Sequence, residues 1–370
     1  VRGAVTETRG HERRMKRPFF TVVMPAYGVE KYLSEAVRSV REQTFPDWEL
    51  IIVDDGSPDR TGNMADELAG TDERIRAVHH TENRGLSEAR NTGIDAAEGR
   101  YIWFMDPDDR VDPDLLEQVL AALEENPAQL TVFGHTEEYY DAGGQLNYTH
   151  TICPERRRFA SAEEMRPYVI RLEQETLYGY AWNKVYSLQW IREKGLRFET
   201  VRLIEDIVFN IQYCMDIGSM NLLDIAPYHY AKRMEGSLTT KFVPDYYELH
   251  ERRIRMLYEQ QQTWHTDTEE TCSVLGSLYG RYILSALERN CDKRAGMRHR
   301  DRRDFCREVF SSGLFGALIP KAQARDSRVL KAALIPMKSR NITLSLAMGR
   351  MVHVIRSGMP MLYSKVKSER

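Results

Sequence analysis

From residue 19 onward, short apolar runs alternate with segments of helical spacing. "FFTVVM" (19–24) has strand length and is followed by "EKYLSEAVRSVREQ", where Leu33, Ala36, Val37 and Val40 share one helix face. "WELIIV" (48–53), "IRAVHH" (75–80), "YIWFM" (101–105) and "LTVFG" (130–134) read as four further strands. Helical patterns separate some of them, at "LSEARNTGIDAA" (86–97) and "DPDLLEQVLAAL" (112–123). Continuous apolar strands alternating with helices predict an α/β fold whose parallel sheet is covered on both faces. In such sheets ligands bind at the carboxyl ends of the strands. Three of those ends read Pro25-Ala26-Tyr27, Asp54-Asp55-Gly56-Ser57 and Asp106-Pro107-Asp108-Asp109, so polar groups converge on one edge.

Beyond about residue 140 the alternation lapses. "YYDAGGQLN" (139–147) is a turn-rich connection, "CPERRRF" (153–159) a charged loop, and "YGYAWNKVYSLQWIREKGLRF" (178–198) mixes aromatic and basic residues. A helix is predicted from Glu205-Asp206, then a strand in "LLDIAPYHYAKR" (222–233), and from about 244 the pattern is helical. The length of 370 residues suits two or three domains. Hydrophobic content of 42% and charged content of 29% are those of globular proteins.

The net charge of −3 conceals an asymmetry: residues 321–370 hold eleven Lys/Arg against Asp326 and Glu369, while the rest carries −12. A basic tail on an acidic body points to an anionic partner. Within it, Leu344, Met348, Met351, Val352 and Ile355 share a helix face, with Arg350, His353 and Arg356 elsewhere on the wheel. This pattern fits a helix lying on an anionic membrane surface, or one packing its stripe on the body or on a second subunit of a homo-oligomer. Nucleic-acid binding has no supporting motif. Five scattered cysteines match neither a disulfide framework nor a zinc site, which favours a reducing cytoplasm. Neither a signal peptide nor an uninterrupted apolar stretch of membrane-spanning length is present. Met15 is a candidate native start, and residues 1–14 are set aside from the fold reading.

Asp106 and Asp108, two apart at a strand end, can project to one side and offer hard oxygen ligands to Mg²⁺ or Mn²⁺. The same residues could equally form a plain turn, with Asp112 capping the next helix. "VDDGSPDRT" (53–61) admits either a nucleoside contact or an ordinary β–α turn, and a receiver domain with paired acids is excluded by length and pattern.

"TVVMPAYGVEKYLSEAVRSVREQTFPDWELIIVDDGSPDRT", "ENRGLSEARNTGIDAAEGRYIWFMDPDD" and "IEDIVF", in that order over roughly residues 19–240, resemble the inverting glycosyltransferases of family two. The resemblance implies a GT-A fold, a mostly parallel Rossmann-like sheet flanked by helices, followed by a helical C-terminal region. It divides the chain into a flexible segment 1–17, a catalytic domain 18–240 (nucleotide-sugar half 18–135, acceptor half 136–240) and a helical region 241–370. It implies that Pro25, Ala26, Tyr27 and Asp55 hold the nucleoside. Arg84 and Arg90 flank the phosphates, although Arg90 and Asn91 could instead hold their loop. Asp106 faces the ribose or the metal, Asp108 is the main ligand of Mn²⁺ or Mg²⁺, and Asp109 contacts the sugar. Asp206 is the general base and Glu205 an acceptor or sugar contact, both also favoured by a helix N-terminus. Trp182 and Lys184 approach a sugar, unless they are a buried Trp and a solvated Lys. His229 joins the metal shell or Arg233 meets the diphosphate, with a structural His as the alternative. The implied activity is transfer from a nucleotide sugar, a UDP-sugar above all, to a glycan or lipid-linked acceptor of the cell surface, at the inner face of the plasma membrane. A nucleotidyltransferase is disfavoured because "MPAYGVEKY" lacks a glycine- and arginine-rich loop. A non-catalytic scaffold acting through the C-terminal helices is disfavoured by the intact acids.

Overall fold

The computed structural model describes residues 17–141, 143–233, 242–324 and 327–358. Residues 1–16, with Met15, and the last basic residues of the tail lie outside them. The amino-terminal half follows the predicted alternation: β1 (Phe20–Ala26), α1 (Leu33–Arg41), β2 (Trp48–Asp54), α2 (Thr61–Ala69), β3 (Ile75–His79), α3 (Leu86–Ala96) and β4 (Tyr101–Phe104). These strands are parallel, in the order β3-β2-β1-β4. Alternate residues enter two different cores. Phe20, Val22, Met24, Leu50, Ile52 and Trp103 pack on the side of α1, whereas Val23, Ile51, Val53, Ile102 and Phe104 pack on the other. A strand buried on both faces has no position left for a solvated side chain, hence the unbroken apolar runs.

After β4 come β5 (Arg110–Val111), α4 (Leu115–Glu125), β6 (Leu130–Tyr140), β7 (Leu146–Ile152), β8 (Arg157–Phe159), α5 (Ala162–Gln174), β9 (Lys184–Ser187), α6 (Leu188–Glu193), α7 (Glu205–Cys214) and β10 (Met220–Lys232). The sheet continues β4-β9-β6-β10-β5, with β7 on β6 and β8 on β10. β9 is antiparallel to both neighbours, which makes the sheet mixed. Its four residues, "KVYS", are too few to declare a period. Helix α4 starts at Leu115 with Asp114 at its N-cap, so Asp112 is not the cap; its carboxylate instead meets His229 Nε2 at 3.0 Å.

The C-terminal region is helical: α8 (Tyr246–Thr263), α9 (Glu269–Arg289), α10 (His299–Ser311), α11 (Gly313–Leu318), α12 (Arg328–Lys338) and α13 (Ile342–Gly358). Leu275, Tyr279, Ile283 and Leu287 of α9 belong to the same apolar cluster as Phe104 of β4 and Val208 of α7. Arg252 of α8 pairs with Glu199 at 2.6 Å, and Arg253 with buried Glu173 at 2.5 Å. Helix α13 is rotated from the expected apolar stripe: Val352 is buried, but Leu344 and Met351 face outward. His353 Nδ1 at 3.1 Å and Arg356 Nη1 at 2.8 Å both reach buried Glu288 of α9. A desolvated carboxylate must be paired, and that demand sets the rotation. Among the described residues no helix is long and apolar enough to cross a membrane.

Candidate active site

The loops after β1 and β2 are stitched together at the carboxyl edge. Asp55 N donates to Ala26 O at 2.8 Å and Val29 N to Thr61 Oγ1 at 2.9 Å. Pro25 and Ala26 are buried beneath this seam, whereas Tyr27 stands 49% exposed on its rim. Gly56 has φ +68°, and a Cβ there would lie 2.6 Å from the Glu82 carbonyl carbon, so only glycine allows this crossing. Asp55 is buried and accepts from Arg84 N at 2.9 Å and Gly85 N at 2.8 Å, with His80 Nδ1 at 2.6 Å. Its oxygens thus brace the 84–85 turn. The Arg84 guanidinium is half-exposed and pairs with Glu88 at 3.1 Å.

Arg90 occupies the centre. Gly93, one turn along α3, permits the helix to lie against β1, since a Cβ there would be 2.2 Å from Val23 Cγ1. This close approach delivers the buried Arg90 guanidinium to the strand ends. It donates to Asp206 Oδ1 at the start of α7 and, at 3.4 Å, to Asp106 Oδ1 after β4, with Phe198 5.1 Å from its face. Burial works against its charge, but Asp206, Asp106 and Glu205 outweigh that and hold its pKa above the ordinary value. Asp206 Oδ2 accepts from Ala181 N at 2.9 Å. Burial, then the charges of Asp206 and Asp106, pushes neighbouring Glu205 up to about 7, with Arg90 opposing. Carboxylates 100 residues apart in sequence thus meet on one cation.

The turn at 106–109 has an outward and an inward side. Asp106 and Asp108 are half-exposed, while Pro107 and Asp109 are buried. Burial raises the carboxyl pKa of both Asp106 and Asp108, and Asp108 adds to the shift at Asp106. Arg233 Nη1 donates to Asp108 O at 2.9 Å and lies 3.4 Å from its Oδ2, its guanidinium 4.2 Å over the Tyr32 ring. Asp109 does not point to a sugar: its Oδ2 accepts from Tyr228 OH at 2.7 Å and its Oδ1 from Ala231 N at 2.8 Å. Tyr228 OH also accepts from Asp106 N at 3.2 Å, so the turn is tied to β10. Beneath it, Trp182 is buried between Tyr228 at 4.4 Å and Tyr180 at 4.6 Å, both stacked. Lys184 is neither solvated nor turned to a ligand; its Nζ donates to Leu177 O, Tyr180 O and Asn183 Oδ1 at 2.6–2.8 Å. Burial drives its pKa down to about 7. His229 has both nitrogens engaged, by Asp112 and by Glu138 at 3.0 Å, and offers none to a metal.

A dication is tested by the donor set. Among the described residues no group of three His, Cys, Asp or Glu side chains could hold a metal alone. Two neighbouring carboxylates raised in pKa, both partly open to solvent, fit an ion whose remaining ligands are phosphate oxygens. Two groups of the site, Tyr228 and the backbone N–H of Ala181, carry no motif in the sequence. The alternating aromatics "YHY" at 228–230 were the only signal for the former, and none exists for the latter.

A mixed sheet of this order, with acids and a buried arginine at the carboxyl edge of its parallel half, defines an α/β protein of the GT-A type. Residues 21–187 match the family model described as Glycosyl transferase family 2. The chain is 33% identical over 226 residues to the uncharacterized glycosyltransferase EpsJ of Bacillus subtilis (strain 168), covering 60% of this chain and 63% of that protein. It is 41% identical over 115 residues to the minor teichoic acid biosynthesis protein GgaB of the same organism, covering 30% and 13%. Staphylococcus aureus TarS 1–349, in complex with UDP-GlcNAc, superimposes with a TM-score of 0.62 at 17% identity, covering 92% of each chain, a likeness of fold. The match spans about three fifths of the length of EpsJ and of EpsH, another Bacillus subtilis relative.

Proposed function

We propose that the protein is a metal-dependent inverting glycosyltransferase that moves a hexosyl group from a UDP-sugar to a hydroxyl of a cell-surface glycan. The observation that carries this is the Arg90 bridge, which joins the acid pair after β4 to Asp206 at the head of α7. Tyr27, on the exposed rim, faces the nucleoside base, above the seam of Pro25 and Ala26 that Asp55 and the 84–85 turn support. Asp106 and Asp108 would hold Mn²⁺ or Mg²⁺, which when bound neutralises charge developing on the leaving diphosphate. Arg233, beside Asp108, adds a fixed positive charge at the same end. Asp206 takes the proton of the attacking hydroxyl: a carboxylate has about four lone-pair sites, and two remain after Arg90 and the Ala181 N–H are served. Arg90 orients that carboxylate. Glu205 contacts the acceptor, and Asp109, Lys184 and Trp182 position the walls rather than the substrate.

A UDP-sugar donor is supported by the TarS complex, and a wall or capsule glycan, free or lipid-linked, by relatives such as GgaB. A cytoplasmic site of action at the inner membrane face belongs to the same proposal. Hydrolysis of UDP-, GDP-, CDP- and dTDP-sugars by the purified protein tests the donor. Asp206→Asn should abolish transfer while UDP still binds; normal turnover by that variant would remove the base assignment, and formation of UTP and sugar 1-phosphate when pyrophosphate is added to the UDP-sugar, instead of UDP release, would favour a nucleotidyltransferase.

A further inference from the structure

Nine large apolar residues are exposed among the described residues, and five of them lie on the last two helices. On α12 these are Val329 and Ile335, the latter 69% exposed; on α13 they are Leu344, Met351 and Val354, 54%, 46% and 61% exposed. Leu344, Met351 and Val354 recur at intervals of seven and three, so they share the face opposite the one that carries Ser345, Val352 and the His353–Glu288 contact. That inner face is already packed on α9, which leaves the outer stripe without a partner among the described residues. The two helices are packed on each other, so their outer faces adjoin. Arg328, Lys331, Lys338 and Arg350 are exposed on the same helices. The sequence contains no Asp or Glu from Ser327 to Ser368.

We infer that the outer face of α12 and α13 is a docking surface for an anionic lipid bilayer. Apolar side chains flanked by basic ones, on helices too short and too polar to span, match a helix pair lying in the headgroup boundary. A second copy of this chain is the poorer occupant, because an isologous contact would bring two acid-free basic rims together, whereas anionic headgroups complement both the charge and the apolar stripe. The inference goes beyond glycosyl transfer and does not rest on it, since membrane binding is read without turnover.

The test is flotation of the full chain with vesicles of phosphatidylglycerol and phosphatidylcholine, against phosphatidylcholine alone. The protein should float with the mixed vesicles, weakly with the neutral ones, and lose binding in roughly 1 M salt, where screening reaches about 3 Å. Each basic residue near an anionic surface contributes about fivefold, so Lys331→Glu/Arg350→Glu should lower the partition coefficient at least about 25-fold. Ile335→Asp/Val354→Asp should lower it at least about tenfold while leaving the melting temperature unchanged, because both positions are outside the core. Failure of the wild-type chain to float overturns the inference, as does unaltered flotation of both double variants. A concentration-dependent dimer that the aspartate pair dissolves, with no vesicle binding, overturns it in favour of a second copy.

Discussion

Replacing Arg90 with methionine removes a wholly buried cation while keeping a long side chain in its place. The guanidinium serves Asp206 directly and Asp106 at 3.4 Å, and it is the positive charge that opposes the raised pKa values of Asp106 and Glu205. Taking one partner out of a buried ion pair costs about 3–5 kcal/mol, because the charge left behind has no solvent. Unfolding entropy of about 2.1 cal/mol/K per residue over 370 residues converts this to a melting point lower by about 4–6 °C, if the chain unfolds as one unit. Lysine is not equivalent, since a single ammonium cannot span both carboxylates as a planar fork does. Loss of orientation at Asp206 should also lower transfer at least about 100-fold. The informative comparison is Arg90→Met with Arg90→Met/Asp206→Asn. Neutralising the stranded carboxylate should recover roughly half of the lost stability, while activity stays absent. Differential scanning calorimetry with a coupled UDP-release assay reads both quantities. A loss under about 1 kcal/mol for Arg90→Met, or no recovery in the double variant, would refute the bridge as the organising contact.

Glu205, whose carboxyl ionises near 4.5 when exposed and near 7 when folded, binds the extra proton in the folded state; its contribution to stability is greatest at low pH and is lost as pH rises through 7. Glu205→Gln should therefore flatten the fall in unfolding free energy between about pH 4.5 and 7, by at most about 3 kcal/mol, and an unchanged slope would contradict the shift. Asp108→Ala should abolish the dependence of UDP binding on Mn²⁺ in calorimetry, leaving weaker, metal-independent binding. Tyr228→Phe removes the hydroxyl shared by Asp109 and the Asp106 N–H, and should cost about 1–3 kcal/mol in urea denaturation together with slower transfer. Gly93→Ala forces a methyl into Val23 and should destabilise by about 1–3 kcal/mol, with activity falling because Arg90 moves with α3.

The sequence by itself determined the parallel half of the sheet and its ligand edge. Strands buried on both faces must be mostly apolar, with a polar pair such as Thr21 and Glu49 tolerated only where the two bond each other, and strand ends are where Asp55, Asp106 and Asp108 can sit. It also determined that Glu205 and Asp206 open a helix, because local periodicity and dipole preference act over a few residues. Only the tertiary structure decided what each acid does. Asp106, Asp108 and Asp109 look alike in "DPDD", yet the turn leaves the first two half-exposed and gives the third to Tyr228 and Ala231, 119 and 122 residues away. Lys184 reads as a surface lysine until three oxygens close around it. The rotation of α13 was likewise hidden, because a hydrophobic wheel weighs side chains one at a time while Glu288, across the interface on α9, dictates which side faces in. Burial pattern is a local property of the chain; the pairing of buried charges is a property of distant segments brought together, and it was the pairing that built the site.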